Sequence, residues 1–219
     1  MLMNRLIAVT LNVVFCLMGL AVRAQNTPWK LEKDKNGIQV FSRLPEGSRF
    51  KEMKVICEID GTMSQLCAYV SDVEHYPEVV YKNKQAYLIK RINEREMLYY
   101  NETMLPWPVK NRDLVIHLTF IPDAAKKELR IHTENAAGYV AVQSDKVRVP
   151  YWRADWTVVK RGPDRLGIEY VFRVDPGGEI PAWVINMTAA VGPYTSFSGM
   201  EGFLKLPRYQ NRQFSFLNF

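Results

Sequence analysis

Histidine and cysteine are scarce in this chain, three of each among 219 residues, and the scarcity excludes a good deal. There is no His-Glu-x-x-His, no Cys-x-x-Cys, no Gly-rich phosphate loop and no nucleophile elbow. Only His117 and His132 form a pair to weigh. A hairpin centred near residue 124 or 125 sets them opposite each other, yet alternation turns both outward beside Thr119, Arg130 and Glu134. With no third ligand, a solvated cross-strand pair is expected. No catalytic residue, metal or cofactor is read from the sequence. A basic stripe is missing too: cations are interleaved with acids, as in Arg91-Ile92-Asn93-Glu94-Arg95-Glu96, which argues against nucleic acid as a partner.

Long apolar runs are confined to Leu6–Val22, which follows Arg5 and ends in the small-x-small pattern Val22-Arg23-Ala24. The run is short for a membrane span and contains Thr10 and Asn12, so residues 1–24 read as a signal peptide cleaved near Ala24-Gln25. The mature chain, 25–219, is then exported to the periplasm or the extracellular space as one domain, a monomer. Arg5 and Arg23 leave with the signal and no acid does, so the formal charge falls from +6 to +4. That surplus allows transient contact with an anionic membrane. Cys57 and Cys67 survive processing, and geometry alone decides between a disulfide and two buried thiols.

The mature chain is mostly strand. Ile38–Arg43 and Phe50–Ile59 form a hairpin about Pro45-Glu46-Gly47. Thr62 caps a short helix with Met63, Leu66, Cys67 and Val70 on one face, and a second short helix or turn surrounds Tyr76-Pro77. Strands follow at Gln85–Ile92, Met97–Met104, Arg112–Phe120, Glu128–Glu134, Lys146–Lys160 and Arg165–Val174. Pro106-Trp107-Pro108 interrupts them as a loop, since proline cannot donate to a ladder. Beyond Asp175-Pro176-Gly177-Gly178 the period changes: Trp183, Val184, Met187 and Val191 recur at helical spacing after Ile180-Pro181, with a kink expected at Gly192-Pro193. The fold class is α+β, about seven to nine antiparallel strands curved around a long C-terminal helix.

Alternation sets Leu114, Ile116, Leu118 and Phe120 on one face, with Leu129, Ile131 and Thr133, and Ile168, Tyr170, Phe172 and Val174, facing the same way. Trp152 and Trp156 share a face, as core filling or as the wall of a chamber. Glu102, between Tyr100 and Met104, is an acid in an apolar stretch. It needs a partner such as Arg148 or Arg153, or else it orients a ligand hydroxyl.

Four stretches in order resemble the START (steroidogenic-acute-regulatory-related lipid-transfer) domains: Gly37–Arg43, Pro106-Trp107-Pro108-Val109-Lys110-Asn111-Arg112-Asp113, Lys146-Val147-Arg148-Val149, and Asp175-Pro176-Gly177-Gly178-Glu179-Ile180-Pro181-Ala182-Trp183-Val184-Ile185-Asn186. The resemblance implies a helix-grip fold whose tunnel binds, and transfers or senses, one hydrophobic molecule, a lipid, a sterol or the like. It implies a lining of Tyr100, Glu102, Leu114, Ile116, Leu118, Trp152, Trp156, Tyr170, Phe172, Met187 and Val191. The implied gate is Pro106, Trp107 and Pro108 in the 106–111 loop, with Gly192 and Pro193 as a hinge in the helix. In members that carry phosphatidylcholine, the choline cage corresponds to Asn101, Leu114 and Trp152, and the phosphate-holding arginine falls near His75; neither set is complete here. The basic partner of the sterol carriers' acid falls at Leu118. A helix-grip enzyme of the polyketide cyclase or dehydratase type and a ligandless interaction module are the competing readings. Converging titratable groups would mark the enzyme, and a filled cavity the module.

Overall fold

The computed structural model describes residues 27–218, so the expected signal peptide and its cleavage site lie outside the described residues. Among the described residues ten strands form one sheet: β1 (Lys30–Lys35), β2 (Ile38–Arg43), β3 (Glu52–Asp60), β4 (Asn83–Asn93), β5 (Glu96–Thr103), β6 (Arg112–Asp123), β7 (Glu128–Asn135), β8 (Val147–Arg148), β9 (Tyr151–Gly162) and β10 (Arg165–Asp175). Nine follow the order β1-β2-β3-β10-β9-β7-β6-β5-β4 with antiparallel neighbours, and β8 adds a two-residue parallel pairing to β6. The count exceeds the expected seven to nine for two reasons. β1 is almost wholly charged, which suits an exposed edge but gives no apolar alternation to read. The single strand expected over Lys146–Lys160 is broken at Pro150, which has no N–H for the ladder.

Between β3 and β4 run helices α1 (Met63–Ser71) and α2 (Tyr76–Val79). Thr62 starts α1 with a capping box: its Oγ1 accepts from Gln65 N at 3.2 Å, and its own N–H donates to Gln65 Oε1 at 2.7 Å. At the adjacent Gly61 a Cβ would stand 2.8 Å from Leu204 Cδ1. The start of α1 therefore seats directly against the end of the chain's last helix.

The C-terminal helix is in two pieces, α3 (Ala182–Thr188) and α4 (Val191–Leu204). The break falls at Ala189-Ala190, upstream of the expected kink at Gly192-Pro193. Pro193 would clash with the carbonyl four residues back and has no N–H to give it, whereas as the third residue of a new helix it sacrifices no bond. α4 buries Phe197, Met200 and Leu204, while α3 buries no residue. Beyond α4, Phe216 stacks on Phe120 with centroids 5.5 Å apart, Phe214 meets the same ring tilted at 6.5 Å, and Ser215 N donates to Glu94 Oε1 at 2.9 Å. The aromatic tail thus closes one end of the grip. Cys57 and Cys67 are free and buried. Burial pushes the Cys57 thiol up to about 12 and that of Cys67 further, so both stay protonated and unreactive at neutral pH.

Candidate functional site

The sheet curves around a cavity of about 760 Å³ closed by α1, α2, α3 and α4. One wall is aromatic. Trp156 pairs directly with Tyr170, and Trp152 with Val174, across β9 and β10, so all four point the same way. Trp152 stacks on Phe172 at 5.7 Å, Trp156 meets Tyr170 at 4.5 Å, and Phe197 of α4 meets Trp156 at 5.1 Å. Leu114, Ile116 and Leu118 of β6 supply the next wall. Pro106, Trp107, Val191, Gly192 and Pro193 line the mouth, where Trp107 is 93% exposed.

The structure corrects four of the expected lining and gate residues. Tyr100 and Glu102 face away from the cavity. β5 pairs Tyr99 with Ile116 and Asn101 with Leu114, so with Leu114 and Ile116 inward it is Tyr99 and Asn101 that line it. Tyr100 instead stacks on Tyr87 at 4.8 Å on the opposite face. Met187 is 71% exposed and outside the wall, because its neighbours Val184, Ile185 and Thr188 occupy the inner side of α3. Pro108 is exposed and lies outside the wall, with Val109 taking the inward position.

Glu102 is a structural acid whose partners differ from the expected arginines. It accepts from Asn111 Nδ2 at 2.7 Å and Lys84 Nζ at 3.0 Å, with Lys146 Nζ 3.5 Å away. Burial alone would raise its pKa, but these donors and cations together hold it below the usual carboxylate range. Arg148 binds Asp113 instead, in a bidentate pair at 3.0 and 2.9 Å. The histidines are not opposite each other either: His132 pairs with Thr119, and His117 with Glu134. Each imidazole meets a carboxylate, His117 Glu96 at 2.7 Å and His132 Asp155 at 2.6 Å. Among the described residues no cluster of three metal-ligating side chains occurs.

Of the positions corresponding to a choline cage, Asn101, Leu114 and Trp152 do meet in the wall. His75 does not; it bonds Asp72 at 2.8 Å. The cations in the wall are Lys51, Lys82 and Arg112, and among the described residues no carboxylate or imidazole lines it. The Arg112 guanidinium donates to the carbonyls of Pro176, Lys110 and Gly177 at 3.1, 2.5 and 3.0 Å, tying the loop after β10 to the loop before β6. Sequence reasoning missed Tyr69, Tyr76, Tyr99 and Asn186 of the wall. Asn186 carries a specific load: its Oδ1 accepts from Lys51 N at 2.9 Å and its Nδ2 donates to Arg49 O at 3.1 Å. This pins α3, which has no buried residue of its own, to the loop between β2 and β3.

No family model matches the chain. It is 27% identical over 184 residues to an uncharacterised protein of Pseudomonas aeruginosa, covering 84% of this chain and 90% of that one. With mouse phosphatidylcholine transfer protein it shares 26% over 171 residues, 75% of this chain and 78% of that one. Among solved structures, the STAR-related lipid transfer protein of Xanthomonas axonopodis superposes with a TM-score of 0.75 at 26% identity, covering 81% of this chain and 99% of that chain. Human START domain-containing protein 10 does so with a TM-score of 0.71 at 22% identity, covering 87% and 77%. The fold is therefore the helix-grip fold of START domains, and relatives and structural neighbours alike support that resemblance.

Proposed function

We propose that this START-fold chain is a non-enzymatic carrier that holds one hydrophobic molecule in its cavity and exchanges it with a membrane outside the cytoplasm. The observation that carries the proposal is the wall itself: a volume of about 760 Å³ bounded by apolar and aromatic side chains, without carboxylate or imidazole among the described residues. Proton-transfer catalysis of the cyclase type needs an acid and a base within reach of one substrate atom, and among the described residues this wall has neither carboxylate nor imidazole to supply one. Each methylene buried there is worth roughly 0.8 kcal/mol, so a single acyl chain offsets a considerable ordering cost. Organic extraction of purified protein, followed by mass spectrometry, is expected to recover a lipid or similar apolar molecule in about equimolar amount. Recovery of none, together with no uptake from vesicles, would sink the carrier reading.

Access runs past α3. The helix is bounded by Gly177-Gly178 at φ +64 and +70 and by the Ala189-Ala190 break, and Asn186 is its polar latch. At Gly177 a Cβ would also stand 2.9 Å from Pro150 Cδ, so glycine is needed there for space as well as for conformation. By contrast a Cβ at Gly192 meets Tyr81 Cδ1 at an ordinary 3.6 Å, and the hinge belongs at the two ends of α3 rather than at Gly192-Pro193. Asn186→Ala is expected to speed vesicle-to-vesicle exchange of a fluorescent lipid several-fold, because two hydrogen bonds worth about 1 kcal/mol each hold the closed form. Gly192→Ala leaves the rate unchanged. An unaltered rate in the Asn186 variant would remove the latch from the account.

A further inference from the structure

Alternation along β6 turns Arg112 the same way as Leu114 and Ile116, and the arginine is only 5% exposed in the cavity wall. Its neighbour Asp113 points to the other face of the sheet, where Arg148 holds it. Among the described residues no carboxylate forms an ion pair with Arg112, and burial pulls its pKa below the usual arginine value while leaving it charged at neutral pH. A cation buried without an acid is costly, and an apolar side chain would fill the same space at less cost. What the guanidinium supplies is its planar fork of donors, which reaches three backbone carbonyls at once: Pro176, Lys110 and Gly177 at 3.1, 2.5 and 3.0 Å.

Those carbonyls belong to two segments that close the cavity. Lys110 ends the loop whose Leu105, Pro106 and Trp107 line the wall, and Pro176 and Gly177 lead into α3. The seat is shaped for close approach. Gly177 and Gly178 adopt φ +64 and +70, and a Cβ at Gly178 would stand 3.0 Å from Arg112 Nη2. Strand β8 backs the same seat: a Cβ at Gly177 would stand 3.3 Å from Val147 Cγ1, while Val147 N donates to Asn111 O at 3.0 Å. The stem of the 105–111 loop and the turn before α3 are thus assembled around one side chain. Further along α3, Asn186 fastens the helix to the loop between β2 and β3.

Resting on the carrier reading, we infer that Arg112 couples the two closing segments, so that the 105–111 loop and α3 loosen together rather than one at a time. Arg112 is a positioning residue: it acts through the backbone that it holds. A displacement of the Pro176-Gly177 turn either breaks its bonds to the guanidinium or carries the guanidinium with it, and with it the Lys110 carbonyl. Release of α3 at Asn186 is therefore transmitted to the loop. Lysine cannot replace arginine here, because a single ammonium on a flexible stem does not present the fixed fork that spans both segments.

The test is amide hydrogen exchange followed by mass spectrometry on purified protein without added lipid, read in peptides covering 104–111 and 179–189. Asn186→Ala is introduced into the wild type, into Arg112→Lys and into Gly178→Ala. With Arg112 and Gly178 in place, Asn186→Ala is expected to speed exchange about fivefold in both segments. In the Arg112→Lys background the increase stays in α3, and the 104–111 peptide changes by about twofold or less. Gly178→Ala crowds the guanidinium's seat but keeps the charge; it is expected to stop transmission in the same way, and it decides the question where the lysine variant does not fold. An arginine of merely structural worth would, when replaced, speed exchange in both segments yet leave the transmitted increase intact. No increase in the 104–111 peptide with Arg112 in place, or an increase that survives both Arg112→Lys and Gly178→Ala, overturns the coupling. Neither result touches the carrier reading, which stands or falls on the molecule recovered by extraction and on uptake from vesicles.

Discussion

Arg148→Met is expected to lower the unfolding free energy by about 3 kcal/mol, more than any other single change considered for this chain. The Asp113 side chain is 1% exposed and that of Arg148 20%. Removing the cation strands a carboxylate that water cannot reach, with only the Tyr100 hydroxyl left as a side-chain donor. Asp113→Ala costs less, because the guanidinium it strands is partly solvated and keeps the Val140 and Ala141 carbonyls at 3.1 and 3.3 Å. That partial exposure also keeps the first figure at the low end of the range for buried pairs. Replacing both residues, Arg148→Met with Asp113→Leu, recovers most of the loss, since no buried charge remains uncompensated. Urea unfolding of the two single variants and the double measures all three, and a double variant as unstable as the sum of the singles would contradict the pairing. The pair lies on the sheet face opposite the cavity, so ligand affinity at a temperature where the variants are folded is expected to hold.

The contrast between β5 and β6 shows how much of the site was legible beforehand. On β6 the residues Leu114, Ile116, Leu118 and Phe120 alternate with others in a period of two that fixes their face, and the structure places the first three in the wall. On β5 the residues Met97, Leu98, Tyr99 and Tyr100 are all buried, because one face meets the cavity and the other packs beneath a covering of Tyr87 and the Asp113–Arg148 pair. A strand buried on both faces has no phase to read, and the register with β6, a non-local fact, decides that Tyr99 rather than Tyr100 is inward. The capping box at Thr62 and Gln65 was half legible for the opposite reason: it is complete within four residues, and the Thr62 cap was read correctly. At α3 the misreading is more informative. Trp183 and Met187 carry a helical apolar period, which ordinarily signals burial, yet they are 67% and 71% exposed. Their apolar character is unexplained by the folded chain alone.

The carrier proposed above gives these exposed rings a role at a membrane surface. Trp107, on the loop before β6, lines the cavity with Lys51 and Lys82, and Trp183 is exposed on α3 next to the lining residues Val184 and Ile185. Indole rings on a cationic rim are suited to the interface of an anionic bilayer, where the ring is partly desolvated and its N–H stays wet. The variant Trp107→Ala/Trp183→Ala should therefore associate with anionic vesicles about thirty- to a hundredfold more weakly, the equivalent of roughly 2–3 kcal/mol for two partly inserted rings. Its unfolding free energy should stay within about 0.5 kcal/mol of the wild type, because neither ring packs on the core. Vesicle co-sedimentation at two salt concentrations separates the contributions, since added salt weakens the lysine attraction and leaves the indole part in place. Exchange of cargo should slow in proportion to association, while the affinity for a monomeric ligand presented from cyclodextrin is unchanged. Vesicle binding that is insensitive to both substitutions would place the docking surface elsewhere and leave the two exposed tryptophans without a role.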